Sequence, residues 1–223
     1  VLRVLIGASA GIGAGHLAPT IVSRLTRIDV TSFSQSGKRN RLSGEMFASV
    51  AIFVAVFTLI SVVIENWALV IAAWVLSLGL ISTSWIDART HRIPRNLSYT
   101  TFGIGAPLLV IAAITENDMS HVVNAVIGAV VATGLVGFLY LIGRGAMGSG
   151  DVRLAPVIGL YTGWISVGTV VLALVVSFFL AAMFAVVLLI TRRASRSDQM
   201  PLGPFLAWGT LAVFVYSAAN YGM

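Results

Sequence analysis

Residues 152–190 read VRLAPVIGLYTGWISVGTVVLALVVSFFLAAMFAVVLLI, 39 residues in which the single charge is Arg153. A continuous helix of that length would run roughly 58 Å at ~1.5 Å per residue. The hydrocarbon core of a bilayer is only about 30 Å thick. The stretch is too long for one crossing and suits two. Thr162, Gly163 and Trp164 mark the expected turn, with glycine as the breaker and tryptophan as an anchor at the lipid–water boundary. Two crossings here set the parity of the whole chain.

Upstream, Phe47–Ile64, Trp67–Ile86, Leu97–Ile114 and His121–Gly143 are each apolar and long enough to span, and Pro201–Tyr221 follows downstream. Val1–Leu25 is the least apolar, but Gly7, Gly11 and Gly15 recur every four residues and form a face on which another helix can pack closely. The expected fold class is all-α: a polytopic transmembrane helix bundle of about eight spans, one membrane domain over residues 1–223. Residues 24–45 are expected to form a short basic loop that includes a polar linker, Ser32–Gly37. Composition agrees. The chain is 58% apolar and 10% charged, against roughly 45–50% and 25% in soluble domains. Its mean hydropathy is +0.97.

Charge placement supports the same count. With eight crossings, 13 of the 14 Lys and Arg residues share one face: Arg24, Arg27, Lys38, Arg39, Arg41, Arg89, Arg92, Arg95, Arg144, Arg153, Arg192, Arg193 and Arg196. Only Arg3 falls on the other. Basic loops stay in the cytoplasm, so both termini are expected outside an inner, plasma membrane. A signal peptide fits less well, because Arg24 and Arg27 put the basic end after the first apolar stretch. The net charge of +6 would suit nucleic acid, but the basic loops alternate with spans and face lipid headgroups. No nucleic-acid partner is expected.

Of the eight acids, Glu65, Glu116 and Asp118 fall in outside loops, and Asp29, Glu45 and Asp198 lie among cytoplasmic basic residues. Asp87 and Asp151 remain. Asp87 closes one apolar segment in WIDARTHRIP (85–94), and Asp151 opens another in GSGDVRL (148–154). Separated by 64 positions, they share one membrane face and depth. Two carboxylates brought close cannot both ionise and hold one proton between them. One then serves as base on a water while the other, protonated, polarises a carbonyl. Blander roles compete: Asp87 as a partner of Arg89 or Arg92, with His91 nearby, and Asp151 as a helix N-cap. Gly148 and Gly150 favour the chemical role, since bare backbone beside a carboxylate admits an extended chain.

Other chemistries lack their residues. There is no cysteine, and His16, His91 and His121 lie in separate segments, so no metal or other cofactor is expected. Gly11, Gly13 and Gly15 follow no strand, as a dinucleotide turn would require. Ser82 and Ser84 have no histidine partner for a nucleophilic triad.

Asp87 with Pro94 in IPRNL (93–97) resembles the first aspartate motif of the type IV prepilin peptidases, and Gly148-Ser149-Gly150-Asp151, followed by Gly159 and Gly163, resembles their GxGD signature. PLGPFL (201–206) is similar to the stretch opening their last helix. The resemblance covers about residues 70–220. It implies a GxGD aspartic endopeptidase that cuts the short basic leader from prepilins or pseudopilins after a glycine, at the cytoplasmic face. Asp87 and Asp151 would be the catalytic pair. Gly148, Gly150, Pro94 and Arg153 would shape the site, Arg153 standing where the family usually has lysine. The implied partners are a prepilin or pseudopilin helix and the bilayer; the oligomeric state is not implied. Many bacterial members also N-methylate the new terminus and carry a zinc-binding cysteine insert. The first loop here is too short for that insert, so methyl transfer is not carried over. Presenilin-type and preflagellin peptidases share GxGD, leaving other transmembrane substrates open. A transporter or scaffold using the aspartates is the rival reading, against which stands the absence of a sequence repeat.

Overall fold

The computed structural model describes residues 1–26, 39–90, 93–143, 147–191 and 201–221. These form eight helices: α1 (Leu2–Thr26), α2 (Arg39–Val63), α3 (Trp67–Thr90), α4 (Arg95–Glu116), α5 (Ser120–Ile142), α6 (Ser149–Ile165), α7 (Val167–Ile190) and α8 (Gly203–Tyr221). Four contain stretches long and apolar enough to cross a membrane: Trp67–Ala88 in α3, and α4, α5 and α7. Leu2–Ala18 and Val50–Val63 are shorter apolar helices. The chain is a multi-pass helical bundle.

Glycine sets how closely its helices approach. Methyl groups built on Gly7 and Gly15 would lie 2.8 Å from Thr58 Cα and 2.7 Å from Val50 Cα, so α1 and α2 touch backbone to backbone as an antiparallel hairpin. The four-residue glycine period thus finds the neighbour it implied. Arg3 closes this hairpin. Its guanidinium donates to the carbonyls of Ile64 and Glu65, the latter at 2.7 Å, and sits 4.9 Å above the Trp67 ring. A cation at the carbonyl end of a helix offsets the negative end of its dipole.

The centre is a ring of four helices, α3–α4–α6–α8, each packed on the next. α6 is buried along nearly its whole length, including Tyr161, Trp164 and Ile165. α5 and α7 pack on its outside and expose rows of large apolar residues such as Val130, Phe138, Phe179 and Met183. A helix apolar on its exposed face needs lipid rather than water there.

The break in the long apolar run differs from expectation. It falls at Ser166, whose extended backbone (φ −168°, ψ 159°) separates α6 from α7 and whose Oγ accepts from Thr169 N at 3.1 Å. Thr162 and Gly163 instead continue α6. Thr162 donates to the Ile158 carbonyl at 2.7 Å, and a methyl on Gly163 would lie 2.8 Å from both Asn124 O and Gly128 Cα. Gly163 serves contact with α5, which outweighs its tendency to break a helix. Trp164 is no boundary anchor: it is fully buried and stacks on His121 with ring centroids 4.9 Å apart.

At this end, His121 Nε2 lies 3.8 Å from Glu116 and from Asp118, and Asn66 donates to Glu116 at 2.8 Å. Hydrogen bonding from Ser120, whose N–H donates to Asp118 at 2.8 Å, holds the Asp118 carboxyl below its ordinary value. Helix α2 begins at Arg39, inside the segment expected to be loop (24–45). The expected linker Ser32–Gly37 lies outside the described residues, as do Arg144, Arg192, Arg193, Arg196 and Asp198.

Candidate active site

The aspartates sit where two helices of the central ring end and begin. Apolar sequence carries α3 as far as Ala88, and Asp87 lies in its last turn, only 5% exposed. Opposite it, α8 opens on Leu202-Gly203-Pro204. Leu202 O accepts from Phe205 N and Leu206 N, both at 3.1 Å. The Gly203 N–H, one of the first-turn donors that a helix cannot satisfy internally, donates to Asp87 Oδ2 at 2.8 Å. Asp87 therefore rests on the positive end of α8. A methyl on Gly203 would lie 2.7 Å from Asp87 Oδ2, so a larger residue there requires the carboxyl to shift.

Asp151 is equally buried, at 5% exposure. Rather than capping α6 it occupies the first turn, third in the helix; Gly148 is the cap (φ −72°, ψ 141°). Asp151 N donates to Gly148 O at 3.2 Å. Asp87 lies close enough for its charge to be felt at Asp151. The fold thus brings together two carboxyls 64 positions apart, at one end of the ring.

The two nearby glycines differ. Gly148 is exposed, and a methyl there would lie 3.3 Å from Asp151 Oδ2. Gly150 faces the segment entering α4, where its missing side chain makes room for Ile93, 2.7 Å from a methyl built on it. Pro94 caps α4 in extended conformation (φ −67°, ψ 127°) and so holds Ile93 in place. Arg153 points back along its own helix, Nη2 donating to Ser149 Oγ at 3.4 Å. The Arg89 side chain, His91 and Arg92 lie outside the described residues.

The sequence model of the type IV leader peptidase family matches residues 74–190, just over half of the chain. The chain belongs to that family. The match runs from within α3 to the end of α7 and takes in both aspartates, Gly148, Gly150, Pro94 and Arg153. Two curated relatives from Aeromonas salmonicida, one from strain A449, are each named prepilin leader peptidase/N-methyltransferase. Each is 28% identical over 138 residues, 61% of this chain and 46% of the relative. The chain spans about half the length of these curated relatives. No solved structure matches.

Gly203 is the contact that sequence reasoning left without a role. PLGPFL was visible as a motif, but its tie to Asp87 bridges 116 positions and lies outside the family match. The signal was a glycine between two prolines at the opening of a span.

Proposed function

We propose that this chain is a membrane-embedded aspartic peptidase that removes the short basic leader from a prepilin or pseudopilin. One observation carries the reading: two carboxyls, each 5% exposed, lie at one end of the central ring, where α3 ends and α6 begins, within range of each other's charge. Membership of the leader peptidase family supplies the reaction class.

In this reading Asp87 and Asp151 share one proton. The ionised carboxyl takes a proton from a water, and the protonated one donates to the scissile carbonyl. Gly203 holds Asp87 by its N–H. Gly148, bare and exposed, lets an extended substrate segment lie beside Asp151, while Gly150, Pro94 and Ile93 fix the start of α4 against α6. Arg153 braces the first turn of α6 through Ser149.

The site faces the cytoplasm across an inner membrane, with both chain ends outside. Arg3, the one basic residue this orientation leaves outside, sits at the far end of the bundle with its guanidinium on the carbonyls that follow α2. The cut falls after a glycine and frees the apolar pilin helix. The N-methyltransferase named in the relatives is not proposed here. Co-expression with a leader-bearing prepilin, read by gel shift, tests the function: processing is expected with the native chain and none with Asp151→Asn.

A further inference from the structure

Some buried hydroxyls on these helices satisfy themselves by donating to the carbonyl four residues back: Ser77 to Ala73 O at 2.8 Å, Thr101 to Leu97 O at 2.9 Å, Thr162 to Ile158 O at 2.7 Å. Five do not. Ser82 and Thr83 on α3, Ser98 on α4, Tyr161 on α6 and Thr210 on α8 find no hydrogen-bond partner among the described residues, and none is more than 5% exposed. Every helix of the ring around Asp87 and Asp151 contributes at least one. Among the described residues the other orphans are Thr58 on α2 and the indole of Trp164, at the opposite end of α6 from Asp151.

The register places these hydroxyls in a descending series. Contact of Gly79 with Thr101 sets α3 against α4 so that Ser82 lies level with Ser98. At 1.5 Å per residue along α3, Thr83 and Ser82 lie about 6 and 7.5 Å deeper than Asp87, with Ser98 level with Ser82. Thr210 lies about 10 Å deeper than Gly203, and Tyr161 about 15 Å deeper than Asp151. Between them, Pro156 has no N–H to give the Val152 carbonyl. Buried polar groups without protein partners are the sites where ordered water binds, each water needing two to four such groups. Hydroxyls that both donate and accept suit water, whereas a cation would need carboxylate or carbonyl ligands.

We propose that these hydroxyls hold a short file of ordered water within the α3–α4–α6–α8 ring, deeper in the membrane than Asp87 and Asp151. The file ends at the aspartates and supplies water to them from below, while substrate occupies the Gly148 side. Its use in hydrolysis rests on the peptidase reading; its presence rests on the hydroxyls alone.

The test exploits a chain without cysteine. Ser82→Cys, Ser98→Cys and Thr210→Cys each introduce a single thiol whose S–H stretch is read by infrared after transfer into D2O. Ser77→Cys, at a self-satisfied hydroxyl, is the control. Exchange at the three sites is expected to be at least about tenfold faster than in the control, since a dry thiol exchanges only when the protein opens. Equal rates would overturn the proposal. Thr210→Val and Ser98→Ala give a second readout. Removing a hydroxyl that binds water should lower the melting temperature, whereas removing a dry, unsatisfied one should raise it, and a rise would also overturn the proposal. Neither readout needs a substrate, so loss of the peptidase reading would leave this result standing, and the reverse.

Discussion

Gly203 and Asp87, 116 positions apart, are joined by a hydrogen bond of 2.8 Å from the backbone N–H opening α8 to the carboxylate closing α3. It couples the last helix of the ring to an aspartate at a spacing that a side chain on residue 203 would disturb. Gly203→Ala places a methyl 2.7 Å from Asp87 Oδ2 and 3.0 Å from its Cγ. Asp87 must rotate away, and misplacement of a reacting group by about 1 Å costs on the order of 100-fold in rate. Prepilin processing by Gly203→Ala should fall by that order. Gly148→Ala, whose methyl lies 3.3 Å from Asp151 Oδ2, should lose less. Equal activity in the native chain and Gly203→Ala would show that this contact does not position Asp87.

Asp87→Asn and Asp151→Asn preserve shape and remove the acid. If the two carboxyls divide acid and base roles, each substitution alone should reduce cleavage at least about 100-fold. Membrane insertion and melting temperature should be retained. The double variant should be no worse than either single one, because the pair acts as a unit. A single variant that processes prepilin at the native rate would remove its residue from the mechanism.

A shared proton fixes the form of the pH profile. At low pH both carboxyls are protonated and no base remains; at high pH both are ionised and no acid remains. Activity of the solubilised protein should therefore follow a bell whose two limbs belong to the pair. A profile flat through the acidic range would argue against a shared proton.

Asp118 gives a separate dependence at the other end of the bundle. Its carboxyl is held low by Ser120. A depressed folded value stabilises above the unfolded value, and the contribution is lost as pH falls through the folded one. Acidification should loosen the turn between α4 and α5, and Asp118→Asn should flatten that part of the stability curve. Amide hydrogen exchange at Ser120 measured against pH reads it.

Much of this was legible in the sequence because a membrane penalises charge. Asp87 and Asp151 stood out as the acids ending and opening apolar runs, and the spacing of Gly7, Gly11 and Gly15 announced the α1–α2 contact. What depended on distant neighbours was hidden. Gly163 read as a breaker because its partner Gly128 lies on another helix, so the break at Ser166 was missed. Gly150 read as open backbone because Ile93 comes from the distant segment that leads into α4. Ser82 and Ser84 were weighed only as nucleophiles. That Ser82 lacks the carbonyl bond made by Ser77 requires the packed helix to be seen.

The glycines of the α5–α6 contact allow packing to be separated from helix propensity. A methyl on Gly163 would lie 2.8 Å from Asn124 O and from Gly128 Cα. Both are backbone atoms, so neither helix can yield locally. Overpacking of this kind costs about 1–3 kcal/mol. Gly137, also on α5, has nothing within 4 Å of such a methyl. There alanine gains the roughly 0.5–1 kcal/mol by which it favours a helix over glycine. Gly163→Ala should lower the melting temperature while Gly137→Ala leaves it equal or higher, although the two changes are chemically identical. Should both shift it equally, the α5–α6 approach would not be holding the centre of the bundle. The position of Asp151, in the first turn of α6, would then need another support.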